Sequence, residues 1–311
     1  MMNHIFPAVT GPTGIGKTQV AFELAKRING EIINADSQSV YKYFNIGTSK
    51  PPRNLRQVIA HHLVGFRDPR EQFSVGDFVS TAVREAGKIL KRGKTPVISG
   101  GSGLYVSSLA EGISMLPASK DIRRKLENTE LAKLLEELRK VDRRTYEKID
   151  RRNPRRIIRA LEIYRITGEP PSRALKKNFI KGLNLKIFFL EMPRDELYGK
   201  IDERVEFMIR KGLVREARSI LKRGVPPTAP PFSSIGYREV LEFIRCCTTL
   251  AETVEKIKMR THNLARKQLI WWRGKKVVRI GVSGKSPVAV ASEIAEILHN
   301  EQNKAVHEIG M

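Results

Sequence analysis

Gly11-Pro12-Thr13-Gly14-Ile15-Gly16-Lys17-Thr18 decides the fold. The stretch matches Gly, four residues, Gly-Lys-[Ser/Thr] at every position, the pattern of a phosphate-binding loop. Such a loop turns consecutive backbone N–H groups onto one phosphate, and the helix that follows aims the positive end of its dipole at the same anion. Ile5-Phe6-Pro7-Ala8-Val9 in front reads as a short buried strand, and Gln19-Val20-Ala21-Phe22-Glu23-Leu24-Ala25 behind reads as a helix start. That is the setting the motif needs. Lys17 would reach the terminal phosphates, and the Thr18 hydroxyl would enter the shell of a Mg²⁺ ion. The loop specifies a pyrophosphate group and leaves open which molecule carries it.

Outward from the loop, β-branched or aromatic runs recur at Glu31-Ile32-Ile33-Asn34, Thr95–Ser99, Leu185–Leu190 and Lys276–Ile280. Helical stretches such as 77–92 and 195–223 separate them. This alternation predicts an α/β fold, a P-loop NTPase-like core whose parallel sheet is flanked by helices on both faces, with ligands at the carboxyl ends of the strands. From about Pro117 to about Gly182 no clear strand stands out. Leu126, Leu131, Leu134, Leu135 and Leu138 recur there at helical spacing, as do Ile157, Ile158, Leu161 and Ile163 after Asn153-Pro154. We therefore expect an inserted all-helical domain over 117–182, with residues 1–116 and 183–311 forming the catalytic core. A long basic helix over 250–273 ends in Trp271-Trp272.

The 311 residues are 41% hydrophobic, enough for a real core, and carry 57 Lys+Arg against 33 Asp+Glu for a net charge of +24. That excess implies a polyanionic partner, nucleic acid first, with a generally basic soluble protein as the alternative. The two cysteines, Cys246 and Cys247, are adjacent, so neither a disulfide nor zinc spacing is indicated. No secretory leader opens the chain and no apolar run approaches the ~18 residues of a membrane span. The expectation is a cytoplasmic monomer without a membrane partner.

Asp36 lies just past the second strand, where a carboxylate could take a proton from a nucleophile or could cap the next turn. The segment Ser99-Gly100-Gly101-Ser102-Gly103 carries no acid of the kind that holds Mg²⁺ in typical ATPases and GTPases, which argues against a motor or switch. Gly100 and Gly101 would admit close backbone approach to a ligand that the Ser102 hydroxyl could bond, or would simply form a strand-to-helix turn. Arg151, Arg152, Arg155, Arg156 and Arg159 crowd one stretch, suited to nucleic-acid phosphates or to a solvated face. Arg260, Arg266, Lys267, Gln268 and Arg273 with Trp271 and Trp272 suit single-stranded nucleic acid, although the tryptophan pair favours core packing. His61-His62 has no third ligand at metal spacing and reads as structural or substrate-edge.

Several blocks, in order and over nearly the whole chain, resemble the bacterial tRNA dimethylallyltransferases. They are Gly11–Thr18, Asp36-Ser37-Gln38-Ser39-Val40-Tyr41-Lys42, Ile46-Gly47-Thr48-Ser49-Lys50-Pro51, His61-His62-Leu63 before Asp68-Pro69, and Gly100-Gly101-Ser102-Gly103-Leu104-Tyr105. Asn153-Pro154-Arg155-Arg156, Arg159-Ala160-Leu161-Glu162, Ile235-Gly236-Tyr237-Arg238-Glu239 and Arg266-Lys267-Gln268 continue the series. Ser102 stands where the family more often has Thr, and Ser233 where some relatives carry an Arg, so that a phosphate-binding role there, if needed, would pass to Arg238 or elsewhere.

The resemblance implies dimethylallyl diphosphate as donor, held by Gly11, Pro12, Thr13, Gly14, Ile15, Gly16, Lys17, Thr18 and Arg238, with Mg²⁺ on Thr18. It implies Asp36 as general base, with Lys17 and Ser102 as further catalytic residues. The acceptor it implies is the exocyclic amine of an adenosine beside the anticodon, flipped out of a tRNA stem-loop. That RNA would be gripped by Asp36, Ser37, Gln38, Ser39, Ser102, Arg123, Arg155, Arg156, Ile157, Ile158, Arg159, Arg266, Lys267 and Gln268.

Overall fold

In β1 (Phe6–Thr10) and β2 (Gly30–Asn34) every residue is buried. Successive side chains of a strand point to opposite faces, so both faces of the sheet are covered. The structure, a computed structural model, describes residues 4–175 and 179–309. The remaining strands are β3 (His61–His62), β4 (Thr95–Ser99), β5 (Ile113–Ser114), β6 (Phe179–Ile180), β7 (Leu185–Glu191) and β8 (Val278–Gly281). Six of them form one sheet in the order β3-β2-β4-β1-β7-β8, every neighbouring pair parallel. The α/β architecture expected from the alternation of strands and helices is present.

Register sets the working edge. Gly30 pairs with Thr95 and Asn34 with Ser99, so β2 and β4 end flush. The Asp36 turn and the Gly100–Ser102 turn therefore leave the sheet side by side, next to the phosphate loop that follows β1. The helix Lys17–Arg27 buries Val20, Ala21, Phe22, Leu24 and Ala25, all in the main core with β-strand residues Val9, Ile32 and Val97. The helical stretch expected over 195–223 is two helices, Arg194–Arg210 and Leu213–Lys222, broken at Gly212 with φ 99°. The basic helix spans Leu250–Trp271 and starts at a Thr249–Glu252 capping box.

The chain divides into two compact units, Met1–Glu111 with Gly182–Met311, and Gly112–Lys181. The second holds the helices Lys120–Glu127, Leu131–Val141, Arg143–Lys148, Pro154–Thr167 and Pro171–Ala174 around Leu126, Leu134, Leu138, Ile157, Ile158 and Leu161. Asn153 caps the helix Pro154–Thr167 by accepting from the Arg156 N–H, and Gly168 ends it at φ 70°. The insertion is not all-helical: Ile113 and Ser114 pair antiparallel with Ile180 and Phe179. The segments entering and leaving the unit run side by side, and two-residue strands are too short to show periodicity.

Candidate active site

Gly14 and Gly16 hold φ of 87° and 95°, a region that L side chains avoid, and the buried Ile15 between them anchors the phosphate loop in the core. The N–H groups of Gly14 through Thr18 find no acceptor among the described residues and remain available to an anion. The Thr13 N–H is spent: it donates to Gln268 Oε1 at 2.8 Å. The Lys17 ammonium donates to the Pro12 carbonyl at 2.7 Å. Burial, then the Arg204 charge, push its pKa down to about 7 against the pull of Asp36.

Arg204 is the residue that sequence reading missed. It donates from Nη1 to Thr13 Oγ1 and from Nε to Ser49 Oγ, both at 3.2 Å, and has no carboxylate partner in an ion pair among the described residues. Burial lowers its pKa while Asp36 opposes the shift. Arg238, to which the loop-side role was assigned, lines neither cleft described below and bonds Glu239 at 3.2 Å. It starts a helix whose Glu239 is fully buried, so its guanidinium is held by that carboxylate. A signal for Arg204 was present. It occupies the i+3 place of the stripe Ile201, Val205, Met208, an apolar face on which a lone arginine is costly unless it serves a ligand.

The three loops at the sheet edge interlock. Thr10 Oγ1 donates to Gly100 O at 2.9 Å, Ala35 N to Ser99 O at 2.7 Å and Ser102 N to Ala35 O at 3.3 Å. A Cβ at Gly100 would overlap the Ala35 carbonyl, so only glycine fits there. Asp36 Oδ1 accepts from the N–H groups of Gln38 (2.8 Å) and Ser39 (3.1 Å), the turn-capping arrangement. Its Oδ2 accepts from none of the described residues. One carboxylate thus serves the turn with one oxygen and offers the other.

Two clefts open at this edge. One, of about 300 Å³, runs along the phosphate loop past Lys17, Thr18, Asn34, His61 and Ser99. The other, of about 450 Å³, is lined by Ser37, Gln38, Ser102, Ile235, Lys267 and Trp271 among others. Thr13, Asp36, Thr48, Gly101, Arg204, Leu264 and Gln268 line both. Ser39 belongs to the first cleft, where its hydroxyl accepts from Asn34 at 2.7 Å.

The remaining candidates divide sharply. Arg155, Arg156, Arg266 and Lys267 are exposed and form no ion pair among the described residues. Ile157 and Ile158 are 0% and 8% exposed and belong to the core of the helical unit, so they are not surface contacts. Their helix buries this apolar stripe and leaves Arg155 and Arg156 outside. Arg123 and Arg159 both bond Glu162 Oε2, at 2.9 and 2.8 Å, and Arg159 also caps the Leu116 and Pro117 carbonyls. Burial would raise the Glu162 pKa, but these bonds hold it below the usual carboxylate range. Arg260 is spent on buried Glu239. Trp272 is core, whereas half-buried Trp271 lines the larger cleft and packs on Gly103. His62 is structural, bonding Glu31 at 2.7 Å. His61 lines the smaller cleft; its Nδ1 donates to Ile59 O at 2.8 Å and its buried Nε2 has no partner in the structure.

Among the described residues no group of three or more His, Cys, Asp or Glu could hold a metal, and no helix is long and apolar enough to cross a membrane. A family model described as IPP transferase matches residues 39–275. The chain is 39% identical to a tRNA dimethylallyltransferase of Thermomicrobium roseum over 87% of this chain and 84% of that protein. It is 38% identical to one of Petrotoga mobilis over 88% and 91%. A solved tRNA isopentenylpyrophosphate transferase from Bacillus halodurans superposes with TM-score 0.71 at 34% identity, covering 97% of this chain and 99% of that one. A solved eukaryotic dimethylallyltransferase acting on tRNA gives TM-score 0.78 at 26% identity over 90% and 74%.

Proposed function

The chain belongs to the IPP transferase family, and we propose that it moves the dimethylallyl group of dimethylallyl diphosphate onto the N6 amine of the adenosine 3′-adjacent to the anticodon of tRNA, releasing diphosphate. It is an enzyme that prenylates tRNA. The observation that carries the atomic assignment is the junction of the two clefts, where Asp36 meets both the phosphate-loop cleft and the larger one.

In this reading the diphosphate lies on the free amides of Gly14–Thr18 within reach of Lys17 and Arg204. The donor's C1–O bond breaks and its electron pair leaves on the diphosphate, where these donors stabilise the growing charge. The adenine, flipped out at a cost of a few kcal/mol, enters the larger cleft beside Ser37, Gln38, Ser102 and Trp271. Its N6 forms the new bond to C1 and gives a proton to Asp36 Oδ2, while Oδ1 keeps the carboxylate oriented through the Gln38 and Ser39 amides.

Thr18 and Ser99 supply hard oxygen atoms in the donor cleft. They fit Mg²⁺, which keeps several waters and binds mainly through substrate phosphates. When bound it would neutralise diphosphate charge. Arg155 and Arg156 in the helical unit, and Arg266 and Lys267 on the basic helix, supply exposed cations for the anticodon stem-loop phosphates. A cytoplasmic monomer accompanies this reading. Incubation with labelled dimethylallyl diphosphate and tRNA, against labelled ATP and small metabolites, tests it: label in tRNA supports it, and phosphoryl transfer without prenylation overturns it.

A further inference from the structure

We propose that Gln268 is a positioning residue that couples seating of the RNA on the basic helix to the shape of the diphosphate-holding loop. The inference rests on the function proposed above and concerns how its two substrates communicate.

Both ends of the Gln268 amide are used. Oε1 accepts the Thr13 N–H at 2.8 Å, and Nε2 donates to the Gly101 carbonyl at 2.7 Å. The amide therefore bridges the loop after β1 to the loop after β4, spending its Oε1 and one of its two N–H donors on the two loops. It sits directly after Lys267 and three residues before Trp271, both of which line the larger cleft. Whatever fixes the basic helix at that cleft fixes Gln268, and Gln268 fixes Thr13.

Thr13 is also held from the helix Arg194–Arg210, through Arg204 on its hydroxyl at 3.2 Å. The loop is thus tied to two helices, one of which carries the exposed Arg266 and Lys267. Hydrogen bonds of this length fail with a displacement of about half an ångström to one ångström. A helix shifted or loosened in the absence of RNA releases the Thr13 amide, and the anion cradle loses its preset form. Gly101 belongs to the device, because a Cβ there would lie 2.8 Å from Gln268 Nε2 and push it away. By linkage the effect is reciprocal: RNA must tighten diphosphate by the factor by which diphosphate tightens RNA.

The test is calorimetry of inorganic diphosphate with Mg²⁺, with and without an anticodon stem-loop RNA, on the full chain. The wild type should bind diphosphate about 5- to 100-fold tighter with RNA present. Q268M, which keeps the length and loses both bonds, should bring that factor within twofold of one and lower kcat more than it raises KM. Q268E keeps the acceptor for Thr13 and should retain part of the coupling. G101A breaks the Gly101 side of the bridge from the opposite partner and, like Q268E, should diminish the coupling without abolishing it, which guards against a fold defect in one variant. An undiminished factor in Q268M and G101A overturns the proposal, as does a wild type that prenylates RNA yet shows no coupling. A wild type that never prenylates RNA would instead remove the underlying function.

Discussion

Arg204 hydrogen-bonds Thr13 through Nη1 and Oγ1 at 3.2 Å, which brings a guanidinium with no carboxylate partner among the described residues to the rim of the phosphate loop. A charged group in that environment is costly unless an anion completes it. Arg204→Gln should weaken inorganic diphosphate binding at least tenfold and lower kcat by about 10²- to 10³-fold, the range for losing one donor to a departing anion. Arg238→Gln, whose guanidinium is already held by Glu239, should change diphosphate affinity less than threefold. Equal losses in the two variants would return the phosphate role to Arg238.

Asp36 allows the base to be separated from the turn cap. Asparagine retains an oxygen able to accept from the Gln38 and Ser39 N–H groups, so the turn survives, but it cannot take up a proton. Asp36→Asn should reduce single-turnover prenyl transfer by about 10²- to 10⁴-fold while leaving RNA affinity within threefold. A parallel loss of both would make Asp36 a structural residue.

The parts of this site that were legible in the sequence are those in which local backbone geometry is the function. Gly14, Gly16 and Lys17 announce the phosphate loop because the positive φ angles and the N–H cradle are written in their spacing. Asp36 and Gly100 were visible because each follows a strand end. Arg204 was masked despite its place on an apolar stripe: it is one of 57 basic residues, it sits among Asp202, Glu203 and Glu206, and its task depends on a loop 191 positions earlier. The same blindness placed Ile157 and Ile158 on the RNA side. A block that resembles a family is a linear object, whereas a helix divides its residues between two faces.

Glu31, near the amino end of the inner strand β2, predicts an acid-sensitive anchor. Its buried carboxylate bonds Arg92 and His62 and pairs with Lys94 at 2.6–3.0 Å. Burial would raise its pKa, but the bonds from Arg92, His62 and Lys94 outweigh that and hold it at about 2. A folded-state value below the unfolded one means stability present above the unfolded pKa, near 4.5, and lost as pH falls through about 2. The stability gap between wild type and Glu31→Gln in urea should therefore be widest above pH 5, on the order of 2–3 kcal/mol, and narrow steadily towards pH 3. A gap independent of pH would show that the cluster acts through packing alone.

Arg156 and Arg159 lie one helical turn apart and should behave as opposites. Arg156 is exposed and forms no ion pair among the described residues, so Arg156→Ala should leave stability within about 0.5 kcal/mol of wild type and reduce the slope of log K against log salt for RNA by about 0.7–0.9, one phosphate contact. Arg159 bonds a Glu162 that is 0% exposed and caps the Leu116 and Pro117 carbonyls. Arg159→Ala leaves that carboxylate with Arg123 and the Ser119 N–H alone, and should cost about 1–3 kcal/mol. Its effect on RNA binding should then follow the unfolding of the helical unit and disappear at low temperature, where the unit is intact. Filter binding across a salt series, beside thermal unfolding of both variants, separates the two residues. An Arg159→Ala protein of full stability with a flattened salt slope would make Arg159 a phosphate contact after all, and its bonds to Glu162 the resting state of a residue that turns outward to RNA.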